Sequence, residues 1–197
     1  MKRILEDGED RRFRGVKNKF GLFFFYFFMQ SVWAFVTAFP VYFLNVKQSL
    51  DSGDAKMMNK GITAFDLIGW AVWLGGFALQ VTADKQKRIF RETRATTSTK
   101  EFITTGVWAW CQHPNYFGEI CMWFGIFLSC WNELEGVERL SVLSPCFVFF
   151  LLRYVSGVPL LRRAAKKRFG NDPLYKKYIK ETNILLPNPF KTPVRLD

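Results

Sequence analysis

The hydrophobic pattern divides the chain into four apolar stretches separated by charged connections. Each stretch is close to the roughly 20 residues that carry a helix across a bilayer core about 30 Å thick. The first, residues 20–44, holds the run Leu22-Phe-Phe-Phe-Tyr-Phe-Phe-Met29 and is expected to kink or fray at its far end, at Pro40. The second, 64–83, carries Trp70, Trp73 and the small pair Gly75-Gly76, which suits close helix contact. The third, 116–131, is shorter and contains Glu119, so that end needs shelter from other helices. The fourth, 141–161, contains Arg153 and closes on the breaker-rich Ser156-Gly-Val-Pro159. The pattern predicts an all-α fold: a polytopic transmembrane bundle of about four spanning helices, with cytosolic loops and a basic amphipathic C-terminal tail.

Composition agrees. The chain is 49% hydrophobic, with 22 Phe, and yet has a net charge of +11. A nucleic-acid binder would also be basic, but it would not need long apolar runs, and here Lys and Arg collect between those runs; no nucleic-acid partner is expected. Seven basic residues lie in 1–19, six in 84–115 and ten from Arg162 onward, against three in 45–62 and only Arg139 in 132–140. The alternation places both termini on the cytoplasmic side. It also divides the chain into a cytosolic segment 1–19, a membrane domain 20–161 and a cytosolic tail 162–197 belonging to the same domain. No secretory signal pattern follows Met1-Lys-Arg. Cys111, Cys121, Cys130 and Cys146 lie at or inside apolar stretches without CxxC or CxxH spacing, so they read as reduced packing residues, and no metal is expected.

The most chemical stretch precedes the third apolar segment: Thr105-Gly-Val-Trp-Ala-Trp-Cys-Gln-His-Pro-Asn-Tyr-Phe-Gly-Glu119. Pro114 suits a first helical position, and Asn115 and Glu119 stand four apart on one helical face. A carboxylate in the first turns of a membrane segment costs a few kcal/mol unless paired or wet, so Glu119 is read as a ligand contact or as an ion pair with Arg153. His113, the only histidine, is either a proton donor or a helix cap. Trp108 and Trp110 read as interfacial anchors, and Asp66 receives no role. A helical continuation of the second segment would set Asp84, Arg88 and Arg91 on one face, where guanidinium groups could clamp phosphates; Arg11, Arg12 and Arg14 offer a second clamp. The same clusters also serve as topology signals. In the tail, Lys166-Lys-Arg-Phe-Gly170 and Tyr175-Lys-Lys-Tyr-Ile179 interleave aromatics with charge. They form either a surface held by lipid headgroups or a lid over a cofactor.

These motifs resemble the C-terminal region of the steroid 5-alpha-reductase family, most closely its DUF1295 branch. The resemblance rests on Thr105 to Glu119, on Asp84-Lys-Gln-Lys-Arg-Ile-Phe90, on Arg153-Tyr-Val-Ser-Gly-Val-Pro-Leu160 and on 175–187, and covers nearly the whole chain from Asp10. It implies a multi-pass membrane reductase, expected in the endoplasmic reticulum. The implied reaction moves hydride from NADPH to a conjugated carbon–carbon double bond of a sterol, steroid or other lipid. By position it implies cofactor contacts at Asn115, Glu119, Asp84, Arg88, Arg91 and Arg153. Tyr116, Tyr178 and His113 are further carry-overs, and Arg12 and Arg14 stand near the family's N-terminal Arg cluster. Gln112 stands where the family has Arg, which removes one charge from that site. Full members also have additional N-terminal helices carrying substrate-polarising residues, so the chain reads as a shortened form.

Two other readings share these features. One is a non-catalytic membrane protein on the same scaffold. The other is an S-adenosylmethionine-dependent membrane methyltransferase of the isoprenylcysteine or phospholipid type. Such methyltransferases carry paired glutamates ahead of the final block, where this chain has Arg162-Arg163.

Overall fold

The computed structural model describes Gly15 and residues 18–50, 61–97 and 102–190, and the regular structure among them is helical, as the apolar pattern predicts. Helix α1 spans Phe20–Thr37 and α2 spans Phe39–Leu50. The break falls at Ala38, two residues before Pro40. Proline lacks an N–H and its ring crowds the carbonyl four residues back, so the first helix ends just upstream. At the break, the buried Ser144 hydroxyl donates to the Thr37 carbonyl at 2.6 Å, joining the first apolar segment to the fourth.

Helix α3, Ala64–Thr97, runs 34 residues and continues well past its apolar part, which supplies the helical extension expected over Asp84, Arg88 and Arg91. Its start is a reciprocal cap. Thr63 donates from both its N–H and its hydroxyl to the Asp66 carboxylate, at 2.8 and 2.6 Å, while the Asp66 N–H donates back to the Thr63 hydroxyl. Asp66, given no role above, is the cap residue that the Thr-x-x-Asp spacing encodes. Helix α4, Pro114–Cys130, begins with proline at its first position. After a 3-10 stretch at Gly136–Val142 come α5, Leu143–Phe150, and a π-helical turn at Leu151–Val155. The chain breaks at Ser156-Gly157, inside the breaker-rich stretch, before α6, Val158–Phe169, and α7, Pro173–Glu181.

Among the described residues three stretches are long and apolar enough to cross a membrane, Phe20–Thr37, Ala64–Thr96 and Gly136–Phe169; α4, at 17 residues, is one residue shorter than the first of these. Large apolar side chains such as Phe24, Phe28, Leu67, Leu74 and Phe150 stand exposed along the helices, as a lipid solvent allows.

The seam between α3 and α4 organises the molecule. Gly69 and Gly76 on α3 stand seven residues apart, and so do Gly118 and Gly125 on α4. A Cβ built on Gly118 would lie 2.5 Å from the Gly76 carbonyl oxygen, and one on Gly125 would lie 2.6 Å from that of Gly69. A seven-residue interval keeps one face toward an antiparallel partner over successive turns, and only a missing side chain lets the backbones touch. Of the expected small pair, Gly76 lies in this seam, whereas Gly75 faces open space. The next heptad step from Gly76 is Ala83, fully buried against Val107 and Trp108.

Candidate functional site

The seam ends where the polar residues begin. Gln80 is four residues beyond Gly76 and Asp84 four beyond Gln80, so all three share one face of α3. Opposite them on α4, Glu119 accepts from Gln80 Nε2 through Oε2 at 3.0 Å and from Trp123 Nε1 through Oε1 at 3.0 Å. Both carboxylate oxygens are therefore held by neutral donors. The expected Glu119–Arg153 ion pair does not form among the described residues; the Arg153 guanidinium lies 4.8 Å over the Tyr154 ring, in the π-helical turn. A neutral amide and an indole can shelter the carboxylate without a second charge. One turn up, Asn115 Nδ2 donates to Asp84 Oδ1 at 3.3 Å, while Asn115 Oδ1 is buried with no partner. Buried acceptors are nearly always satisfied by protein or ordered water, so this oxygen has accepting capacity to spare. The cluster borders a cavity of about 690 Å³ lined by Trp73, Phe77, Gln80, Asp84, Arg88 and Glu119, among others.

On another side of α3 lies a second cavity of about 290 Å³, with a different wall. Lys87, Arg91 and Arg94 from α3 and Arg162 and Arg168 from α6 line it, together with Phe102, Trp108, Phe169, Tyr175 and Tyr178; no carboxylate is among its described lining residues. Asp84, Arg88 and Arg91 thus follow one stripe of the helix, but their side chains serve two cavities rather than one clamp.

His113 reaches this second cavity. It occupies the N-cap position of α4 through its backbone, whose carbonyl accepts from Tyr116 and Phe117, yet its side chain makes no cap bond. The ring stacks on Tyr116 at 5.3 Å, is 8% exposed, and its Nδ1 has no partner. Burial first, then the charges of Lys87, Arg162 and Arg153, push its pKa down to about 4, so the imidazole is neutral at physiological pH and not a ready cationic acid. Burial likewise lifts the Tyr178 phenol above its ordinary range, and its hydroxyl donates to the Trp108 carbonyl at 2.8 Å. Tyr178 is a strut of the cavity wall. Trp108 is no interfacial anchor: it is 3% exposed, its Nε1 donates to the Ala83 carbonyl, and Lys87 Nζ lies 4.7 Å over its ring. Cys111 is a buried packing residue, as expected, its thiol lifted by burial to about 11.

Gln112 shows what a neutral residue does at the departing position. Its N–H donates to the Asn183 carbonyl at 2.8 Å, its Nε2 donates to the carbonyls of Ile179 and Thr182, and its Oε1 accepts from Arg162 Nη2 at 3.2 Å. One amide thereby binds the tail and turns an arginine toward the cavity, and a second arginine here could not accept that bond. Arg11, Arg12 and Arg14 lie outside the described residues. Residues given no individual ligand role from sequence are Gln80, Trp123, Arg94, Arg162 and Arg168. The first two carried a signal, since Gln80 is one turn from Asp84 and Trp123 one turn from Glu119; the tail arginines meet α3 only through tertiary packing.

A family model described as "Protein of unknown function (DUF1295)" matches residues 1–182. The chain belongs to the DUF1295 family. Within known proteins this DUF1295 chain is similar to 3-oxo-5-alpha-steroid 4-dehydrogenase 1 of Macaca fascicularis and of Homo sapiens, 30% identical to each over 125 residues. The rat protein of that name is 30% identical over 122 residues. The matched stretch is 63% of this chain but only 41% of the macaque protein and 42% of the human one. The chain therefore corresponds to well under half of those relatives' length, and the expected kinship with the steroid 5-alpha-reductase family is borne out. No solved structure gives a significant match.

Proposed function

We propose that this DUF1295 chain binds NADPH on the cytoplasmic side of the endoplasmic reticulum membrane and serves reduction of a conjugated carbon–carbon double bond in a sterol, steroid or related lipid. The observation that carries the reading is the Asp84–Asn115–Glu119 cluster, set across the glycine seam with the Asn115 oxygen left without a partner. The residues suit the cofactor. Amide, carboxylate and aromatic groups at the larger cavity match a carboxamide and ribose hydroxyls, whereas Lys87, Arg91, Arg94 and Arg162 at the smaller one match phosphates. Asp84, Arg88, Asn115, Glu119 and Arg91 would hold the cofactor, with Arg153, Tyr116, His113 and Tyr178 shaping the site around them; a role for Arg12 and Arg14 is proposed from the family resemblance alone. Bound NADPH supplies hydride. The chain's own part is to orient the dinucleotide and, through the packed helices, to exclude water from one side of it.

The test is equilibrium binding in detergent. NADPH should bind to the purified protein, with affinity reduced at least about tenfold by Asn115→Ala or Arg91→Ala, while both variants keep the parent's melting temperature within a few degrees. Binding of S-adenosylmethionine without NADPH binding would overturn the reductase reading. NADPH binding without oxidation in the presence of enone sterols or steroids would reduce it to a cofactor-binding scaffold.

A further inference from the structure

The tail holds a third feature, which shares Arg162 with the smaller cavity but adds three lysines that the cofactor reading does not use. Between α6 and α7 lies a groove of about 490 Å³ lined by Arg162, Lys166, Gly170, Tyr175, Lys176, Ile179 and Lys180. Arg162 and Lys166 are four residues apart on one helix, and Lys176 and Lys180 four apart on the other. Like charges at that spacing repel within each helix, and the helical hairpin brings both pairs to one groove, which compounds the cost. Among the described residues no ion pair reaches Lys166, Lys176 or Lys180, and Arg162 keeps its Nε buried without an acceptor. Four converging cations of this kind call for a ligand with more than a single negative charge.

The surroundings decide its source. The groove belongs to the end of Gly136–Phe169, a stretch of 34 residues. That stretch breaks at Ser156-Gly157, and the α6 that follows carries Arg162, Arg163, Lys166, Lys167 and Arg168, charges that hold its last turns at the headgroup region and out of hydrocarbon. Leu160 in the first turn of α6 is 54% exposed, and Leu186 and Phe190 beyond α7 are 68% and 96% exposed, so bare apolar side chains accompany the basic helices in the chain. A soluble anion would not explain that pairing of bare apolar groups with concentrated positive charge, whereas a membrane surface uses both. The same basic residues follow the positive-inside pattern, which sets them against the anionic leaflet.

We propose that the groove between α6 and α7 binds the phosphomonoester headgroup of an anionic phospholipid. Lipid then closes the hairpin, and through Gln112 and Arg162 that hairpin is fastened to the loop carrying His113. The lipid site shares Arg162 with the smaller cavity, and its lysines, which that cavity lacks, let it be tested without NADPH.

Dioctanoyl phosphatidic acid is the probe, added to the full chain in detergent and followed by native mass spectrometry and by thermal shift, with dioctanoyl phosphatidylcholine as the neutral control. Phosphatidic acid should bind and raise the melting temperature, and Lys176→Gln combined with Lys180→Gln should weaken it about thirtyfold. Lys167→Gln combined with Lys177→Gln, which removes the same charge from exposed positions outside the groove, should change it by no more than about threefold. Lys176→Arg with Lys180→Arg should retain binding, which separates loss of the site from misfolding. Equal losses in the two glutamine pairs, equal binding of phosphatidylcholine, or displacement by inorganic phosphate at concentrations that leave melting unchanged would overturn the proposal.

Discussion

The two cavities beside α3 differ in what already holds them together. At the larger, opposite charges and neutral amides sit on facing helices, and Glu119 and Asp84 have protein donors in place. At the smaller, every charged residue among the described lining is a cation, and His113 is kept neutral first by burial and then by nearby positive charge. The first is a preorganised polar site built by local spacing on two helices. The second is a positive pocket completed by the tail, and its charge favours an anionic guest over any internal partner. The difference teaches that one polar site can be read from helix geometry, whereas the other depends on how a distant segment folds back.

The most damaging way to break the comparison is at the seam that supports both. Gly118→Val should cost about 3 kcal/mol or more, because its new carbons meet the Gly76 backbone, which cannot turn aside like a side chain. Thermal melting in detergent should show a large drop, and Gly75→Ala, one position away on α3 and facing open space, should leave it almost unchanged. Equal effects at the two glycines would mean that the helices do not pack through this seam.

Acid should act on the second cavity. In the unfolded chain His113 regains its ordinary pKa near 6.5, whereas in the fold it is held at about 4, so between these values the unfolded state binds more protons. Stability is therefore complete above about pH 6.5 and falls as pH drops through the window toward 4, by an amount on the order of 3 kcal/mol. His113→Gln should remove most of that slope. A variant with the same acid profile as the parent would show that burial and the nearby cations do not hold His113 neutral.

Glu119 tests the first cavity. Replacement by Ala leaves Gln80 Nε2 and Trp123 Nε1 without their acceptor, which costs about 2 kcal/mol in stability and at least about tenfold in NADPH affinity. Glu119→Gln, which keeps one acceptor, should fall between Ala and the parent in both measurements. If Glu119→Ala bound NADPH as tightly as the parent, the cluster would be structural and not part of a cofactor site.

How much of this was legible in the sequence follows from the range of the interactions. The spanning segments, the break near Pro40, the helical run through Arg91 and the placement of Asn115 and Glu119 on one face of α4 depend on period and on single-residue chemistry, so the sequence shows them directly. The seam was half legible: Gly76 was seen, but Gly69, Gly118 and Gly125 make sense only once two seven-residue intervals are set against each other. Sequence alone points Glu119 to Arg153 because charge is the obvious partner for charge, while the neutral Gln80 and Trp123 are the groups that geometry supplies. Trp108 was read as a belt residue because tryptophans near apolar ends usually are; here the tail covers it.

The smallest effect lies where the tail meets the second cavity. Gln112 accepts from Arg162 and donates to two tail carbonyls, so its role depends on having both an acceptor and donors on one short side chain. Gln112→Arg keeps donors but sets a second guanidinium against Arg162, and should loosen the tail and expose the chain near residues 170–172 to protease. Arg162→Gln removes the repulsion, so the double variant should recover about 1 kcal/mol relative to the sum of the single changes. Measured by a double-mutant cycle on melting temperature and on protease half-life, a coupling near zero would show that the two residues act independently. A clear coupling with unchanged NADPH affinity would assign the pair to fastening the tail, and a matching shift in affinity would extend its role to the positive pocket itself.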